Sequence, residues 1–544
     1  MDKKIKLMTN SSLQKIFKDR GPTQPETGGV MLRNETYNFQ TAFFADTSMQ
    51  SIMLSAESSA FDLSVRYVRE LRADKEDCEE SDDYYDKSAD RMYPEILTPQ
   101  VPKVLAGGRW HSFWIQLKTK DGVSAGTYAI PIKLCSGKKV LTETEYKLEV
   151  LDGNLPELDI PVTCWMHYDC ISHRHNVTLF ETDFYKIFEK YLNLYVGRGH
   201  NMLLIPTITP ALDTAVGAER MTAQLVDIVE KGGNYFFDFN RLDKFINFVS
   251  GRGIRYFEFA HLFTQWGAKS CPKILARTEN GIEKIFGWET DSTGSEYKHF
   301  LSQYLPALIG YVTKKGIAER SYFHLSDEPN AEHIDRYEEL YRFIKQFKNG
   351  IKTMDALSHF DFYTRGIVDI PVVASDAAEP FLEHNAKHFV YYCGAQNKGY
   401  VSGRFFAMPS ERNAVIGVQI YQNDSSGFLH WGFNFYNTQY STRHINPYTD
   451  TASGGNFPSG DAFVVYPDGD KVIASLRLEV FYEGIQLYLA LRKLESIIGR
   501  EEVIGILKAR GFRGYGIYPQ TPVALKELKK ELYMIINLKG RFSG

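Results

Sequence analysis

Between about residues 160 and 435 the chain alternates short β-prone runs with helical text, and nothing else in it narrows the fold as far. Ile160–Trp165, Met202–Ile205, Ile254–Phe259, Tyr322–Leu325, Thr353–Leu357, Val372–Ala374, Phe389–Tyr392 and Val415–Tyr421 read as strands. Phe184–Tyr195, Leu242–Val249, Ser295–Lys314, Ile334–Lys348 and Glu379–Ala386 read as the helices between them. Eight strands in roughly 275 residues suit a (β/α)8 barrel, whose usual size is about 250 residues. A doubly wound parallel sheet would alternate in the same way. No G-x-G-x-x-G or Walker A sequence follows any of these strands, however, which argues against that fold and against nucleotide chemistry.

The flanks carry a different texture. Before residue 155 the runs Ser51–Leu54, Leu63–Tyr67, His111–Leu117 and Tyr128–Leu134 are β-rich, with turns at Asp121-Gly122 and Ala125-Gly126. They predict a β-sandwich over residues 1–155, with acid-dense Asp74–Asp86 as a solvated loop and Leu155-Pro156-Glu157-Leu158 as a linker. The barrel is expected over 156–470, and a small C-terminal helical extension packed on it over 471–544, with helices at Leu476–Ser496 and Pro522–Leu538. The expected class is thus multidomain α/β: an N-terminal β-sandwich, a TIM-type barrel and a C-terminal extension.

Lys and Arg total 63 against 67 Asp and Glu, a net charge of −4, so no global positive field steers a nucleic acid or an anionic membrane. The basic runs Lys3–Lys6 and Lys526–Lys530 read as solvated faces. Six scattered cysteines without a C-x-x-C pair suit neither a disulfide framework nor a zinc site. The N-terminus has no apolar core of a signal peptide, and no run reaches the roughly 18 apolar residues of a membrane span, so a cytoplasmic protein is expected. Oligomeric state is not encoded in any pattern of this kind.

Against that background, residues 321–330 stand out: Ser-Tyr-Phe-His-Leu-Ser-Asp-Glu-Pro-Asn. A β-prone run ends in adjacent carboxylates, and Pro329 ends the strand. Two readings are open. Ser326 or Asp327 caps a following helix, or Asp327 and Glu328 stand on the barrel's C-terminal rim, where such enzymes do chemistry. Other strand ends would bring Trp165, His167, Tyr168, Asp169, Glu258, His261, Asp355, His359, Tyr391, Tyr392, Asn423 and Trp431 to the same rim. Each also has an ordinary reading. His167 and His261 suit histidines bonded to carbonyls, Glu258 suits a partner for Arg255, and Trp431 suits core. Only one of Tyr391 and Tyr392 can face a pocket, because side chains alternate along a strand. His167, Asp169 and His261 show no helical H-x-x-x-H spacing and no G-x-S-x-G elbow follows a barrel strand, so neither a catalytic metal nor a serine nucleophile is expected, and no cofactor. Rings make 14% of the chain, a composition that also suits sugar stacking.

Several of these segments resemble glycoside hydrolase family 123 and its uncharacterised barrel relatives. Phe323-His-Leu-Ser-Asp-Glu-Pro, Gly427-Phe-Leu-His-Trp-Gly-Phe-Asn-Phe-Tyr and Asn446-Pro-Tyr-Thr-Asp are similar to that family's motifs. So are Asp461-Ala-Phe-Val-Val-Tyr-Pro and the run from Ser475 to Tyr488, and upstream Phe113-Trp-Ile-Gln-Leu and Ala125-Gly-Thr-Tyr. The resemblance covers most of the chain. It implies an exo-acting, retaining β-N-acetylgalactosaminidase with an oligosaccharide or glycoconjugate substrate, in which the 2-acetamido group of the sugar attacks its own anomeric carbon. Glu328 would then be the acid–base and Asp327 the partner of the acetamido N–H. Tyr391 or Tyr392 would donate to the acetamido oxygen, and Trp431 would wall the sugar. Alternatives within the same fold are a glycosidase for another sugar or a catalytically silent carbohydrate-binding barrel.

Overall fold

The computed structural model describes residues 5–540; Lys3 and Lys4 of the N-terminal basic run lie outside them. At its centre, eight strands form one parallel sheet: Val162–Cys164, Met202–Ile205, Tyr256–Phe259, Ser321–Phe323, Lys352–Leu357, Ile370–Ala374, Phe389–Tyr391 and Phe428–His430. Their order follows the chain around the sheet, with the eighth strand back beside the first, so the sheet nearly closes into a TIM-type barrel. Between the first and second strands the ladder is replaced by side chains. Asn201 Oδ1 accepts the Val162 N–H at 2.8 Å, and the Tyr195 hydroxyl accepts from Cys164 N at 2.9 Å while donating to Met202 O at 2.6 Å. The seam's buried peptide groups are thereby satisfied without strand pairing.

One expected strand is a helix. Val415–Tyr421 is rich in β-branched residues, yet Ile416–Gln422 is α-helical and the eighth strand follows at Phe428–His430. Packing decides this. The helix lies against the long helix Leu476–Ile498 so closely that a Cβ on Gly417 would stand 1.7 Å from the Gly484 carbonyl oxygen. Burial between two layers overrides a strand propensity that is itself context-dependent.

The N-terminal segment forms a five-stranded antiparallel sheet and a four-stranded mixed sheet. Phe39, Ile115 and Leu117 of the first share a core with Ile130, Tyr146 and Leu148 of the second, and the Phe39 and Tyr146 rings stack at 4.0 Å. Leu476–Ile498 ties this segment to the barrel. Arg477 pairs with Glu95 at 2.7 Å, Glu479 with Arg66 at 2.8 Å and Arg198 at 2.6 Å, and Gln486 exchanges hydrogen bonds with the Thr36 backbone. Burial alone would raise Glu479, but the two guanidiniums outweigh it and hold the carboxyl at about 2.

Asp74–Asp86 is not the freely solvated loop expected from its acids. It crosses to the barrel, where Asp82 takes both Nη1 and Nη2 of the fully buried Arg412 at 2.8 Å. Lys526 and Lys529, in the C-terminal basic run, pair with Glu26 and Glu35 of the N-terminal segment and are not simply solvated. Among the described residues no helix is long and apolar enough to cross a membrane.

Candidate active site

The carboxyl ends of the first, fourth, fifth, seventh and eighth strands open onto one cavity of about 450 Å³. Trp165, Ala356, Tyr391 and Leu429 form its floor; Asp327, Glu328 and Trp431 stand above them.

The fourth strand stops at Phe323, and the chain then makes a tight bend that presents both acids. Glu328 adopts φ 44°, the left-handed region that residues with a Cβ avoid, and its N–H donates to the Ala356 carbonyl at 3.1 Å. Such strain persists where the surroundings over-determine it, as ligand sites do. Neither acid caps a helix. Asn330 does that, its side chain accepting the Glu332 N–H at 3.2 Å, while Ser326 Oγ donates to the Thr264 carbonyl.

Glu328 is open to the water of the cavity but otherwise ringed by protein, and Asp327 lies deeper. Enclosure pushes both carboxyls above the usual carboxylate range, and the charge of Glu328 pushes Asp327 further. Asp461 and Asp376 add to the rise at Glu328. The Tyr391 hydroxyl, which donates to Glu328 Oε1 at 2.8 Å, works against it. Two neighbouring carboxyls so placed retain a proton between them at pH values where an exposed acid has lost its own.

Beneath the pair lies a second polar layer. Asp355 accepts the backbone N–H groups of Leu325 (3.0 Å) and Ser326 (3.2 Å) and the Tyr337 hydroxyl, which fixes the turn carrying the acids. His324 bridges Asp355 at 3.3 Å and Glu258 at 3.0 Å. Burial alone would lower its pKa; the two carboxylates reverse that and raise it to about 9, so the ring is an imidazolium at neutral pH.

The rim residues expected from sequence divide clearly. Trp165, Tyr391 and Trp431 line the cavity with the acids. Glu258 does not: it lies inside the barrel and accepts the Trp165 indole N–H at 2.9 Å, while Arg255 pairs with Glu157 instead. His261 is buried below the cavity, stacked on His324 at 4.3 Å, and neither ring nitrogen has a partner among the described residues. His261, His324 and Asp355 bring one donor atom each within 4.8 Å, the spacing of a metal site. Both nitrogens of His324 already serve carboxylates there. His167 stands behind Trp431. Burial and then Arg220 hold its pKa at about 3, and with Arg220 facing Nδ1 its proton sits on Nε2, which donates to the Trp431 carbonyl at 2.9 Å. Arg220 is itself fixed by Asp169.

Tyr392 points away from the cavity and packs on Phe428 and His430, its hydroxyl near Asn413. His359 is exposed beyond the fifth strand. Asn423 is not at this rim at all. It ends the helix Ile416–Gln422, ahead of the eighth strand and therefore at the barrel's opposite end, and its side chain turns back to the Gln419 carbonyl. The displacement follows directly from reading that helix as a strand.

Sequence reasoning missed Asp213, Gln265, Trp266, Tyr440, Asp461 and Cys78, all of which line the cavity. Asp461 holds Trp431 by accepting its indole N–H at 3.1 Å, together with the Gly394 N–H at 3.0 Å. Trp266 carried a usable signal, a tryptophan between Gln265 and Gly267 shortly after a strand end. Cys78 carried none, since it arrives from the N-terminal segment.

The family model for the glycoside hydrolase 123 catalytic domain matches residues 165–494. No curated protein sequence matches the chain. Among solved structures, a family 123 glycoside hydrolase from Clostridium perfringens, studied for glycolipid glycan hydrolysis, superposes with a TM-score of 0.73 at 15% identity, covering 98% of this chain and 97% of its own. A family 39 glycoside hydrolase from Bacteroides cellulosilyticus WH2 fits less well, with a TM-score of 0.35 at 10% identity over 87% of this chain and 83% of its own.

Proposed function

The chain belongs to the glycoside hydrolase 123 family, and we propose that it is an exo-acting, retaining β-N-acetylgalactosaminidase that uses the substrate's own acetamido group as nucleophile. The observation that carries this reading is the Asp327–Glu328 pair itself, two consecutive carboxyls presented to one cavity. An ordinary retaining glycosidase needs an acid and a separate nucleophile about 5–5.5 Å apart across the scissile bond. The other two lining carboxylates with bonded partners are committed elsewhere: Asp461 to Trp431 and Gly394, Asp213 to the Tyr440 backbone. Internal attack by the acetamido oxygen removes the need for a protein nucleophile.

In the first half-reaction Glu328 gives its proton to the glycosidic oxygen as the acetamido oxygen bonds to the anomeric carbon and the leaving group departs. Asp327 accepts the acetamido N–H and offsets the positive charge of the cyclic oxazolinium ion. The shared proton suits this division: an N–H arriving at Asp327 draws the negative charge there and leaves Glu328 protonated. In the second half, Glu328 takes a proton from water, which attacks the same carbon and reopens the ring. Two displacements give net retention. Tyr391 serves this cycle by holding Glu328 in place, and Trp165 and Trp431 supply flat walls for the sugar. The two N-terminal sheets, with their common core, are read as a sandwich whose loop at Cys78 closes one side of the cavity.

Release of 4-nitrophenol from the aryl β-N-acetylgalactosaminide tests the proposal. Wild-type protein should release it, and Glu328→Gln should release it at least about a hundredfold more slowly; turnover that stays near the wild-type rate in Glu328→Gln removes the acid assignment.

A further inference from the structure

The cavity's mouth carries two aromatic rings that the chemistry above leaves unused. Trp266 and Tyr440 are 37% and 42% exposed, whereas Trp165 on the floor is 2% exposed. Their ring centroids lie 5.6 Å apart with the planes at 89°, which makes an open corner and not a packed stack. They arrive from different places, Trp266 after the third barrel strand and Tyr440 after the eighth. Large exposed rings cost hydration free energy unless something covers them.

Both are also held in backbone that residues with a Cβ avoid, at φ 58° for Trp266 and φ 62° for Tyr440. The contacts that hold them are specific. The Trp266 N–H donates to the Asp327 carbonyl at 2.9 Å, so this ring is fixed relative to the catalytic turn. Asp213 Oδ2 accepts the Tyr440 N–H at 3.0 Å, the Asp213 carbonyl accepts from Ser441 Oγ at 2.7 Å, and Ala215 N–H donates to the Tyr440 carbonyl at 3.0 Å. Three bonds thus tie the Tyr440 loop to the loop after the second strand.

We infer that Trp266 and Tyr440 form the leaving-group subsite, a right-angled aromatic corner that takes a neutral pyranose ring attached to the departing glycosidic oxygen. The inference rests on the hexosaminidase reading for its orientation. An exo-acting enzyme seats its terminal sugar on the closed floor, so the remainder of the substrate leaves through the mouth, where these rings stand. A pyranose offers an apolar C–H face to one ring and an edge to the other. Specificity for an oligosaccharide over a simple glycoside is then built at the mouth, and Asp213 is its positioning residue.

The test compares two substrates that share a terminal sugar. N-acetyl-β-galactosaminyl fluoride has a leaving group too small to reach the corner, whereas the disaccharide with the same sugar β-linked to galactose fills it. Trp266→Ala and Tyr440→Ala should each lower the ratio of kcat/KM for disaccharide to kcat/KM for fluoride by about tenfold, the scale of one aromatic contact. Tyr440→Phe, which keeps the ring, should restore the ratio. A ratio that stays at the wild-type value in both alanine variants overturns the subsite. A lactose titration stands apart from the hydrolase reading: it should perturb the tryptophan emission of the wild type and not that of Trp266→Phe. Equal perturbation of both proteins, or of neither, overturns the inference, whereas wild-type protein that cleaves no hexosaminide overturns only the proposed activity.

Discussion

At the scale of single residues the account turns on one proton. Removing the acid by Glu328→Gln should lower kcat/KM by about 10²–10⁴-fold on an aryl glycoside, the usual contribution of general acid–base catalysis. Tyr391→Phe probes the same proton differently. The Tyr391 hydroxyl favours the charged form of Glu328, so its loss raises the Glu328 pKa further. Activity requires that group protonated and is lost as pH rises through its pKa. The alkaline limb of the kcat/KM profile should therefore move to higher pH in Tyr391→Phe; a limb that stays put or moves down contradicts the contact's role. Asp327 offers a stability readout. Its folded pKa lies above the ordinary value, so the penalty for charging it is absent at acid pH and grows as pH rises from the ordinary carboxylate range towards the folded pKa. Asp327→Asn should raise Tm at neutral pH while impairing turnover of acetamido substrates, a trade of function for stability.

The acids were legible in the sequence because an Asp-Glu-Pro run is chemically out of place at the end of a strand. Glu258 and His261 are equally visible in the sequence but read there as rim groups, since strand alternation gives the face of a residue and not its depth along the barrel axis.

At the scale of elements, the fourth and fifth strands are joined by charge as well as by their ladder. His324 lies between Glu258 and Asp355, and all three side chains are fully buried. Its pKa is raised from the ordinary 6.5 to about 9, so its contribution to stability is full below pH 6.5 and is lost as pH rises through about 9. Unfolding free energy should fall across that window, and the fall attributable to His324 should vanish in His324→Gln. Denaturant melts at several pH values measure it; an unchanged slope contradicts the imidazolium. Seven of the eight strands could be read from β-prone runs. The eighth could not, because Val415–Tyr421 looks more like a strand than Phe428–His430 does. The pairing of Gly417 with Gly484, 67 positions later in the chain, decides the matter, and local pattern cannot see it.

At the scale of the whole molecule, the N-terminal sheets and the barrel share buried charge. Glu479 answers to Arg66 and Arg198, Arg477 to Glu95, and Arg412 to Asp82. A barrel expressed without residues 5–155 would expose or orphan these groups, and we expect it to be insoluble. Arg412→Ala leaves Asp82 without its partner and should cost about 3–5 kcal/mol, the usual result of breaking a buried pair. The same change should loosen the loop at Cys78 and raise KM, which a merely local defect would not do. None of this was legible in the sequence, where Asp74–Asp86 reads as a solvated acid run. Arg412, the partner of Asp82, lies 330 positions downstream.

The central claim is that the substrate supplies its own nucleophile, and a series of aryl β-N-acetylgalactosaminides with zero to three fluorines on the acetyl group tests it most directly. Fluorine drains electron density from the attacking oxygen while barely changing size. The account predicts that kcat/KM falls steeply and monotonically with each fluorine; rates that are indifferent to fluorination would mean that the acetamido oxygen does not attack.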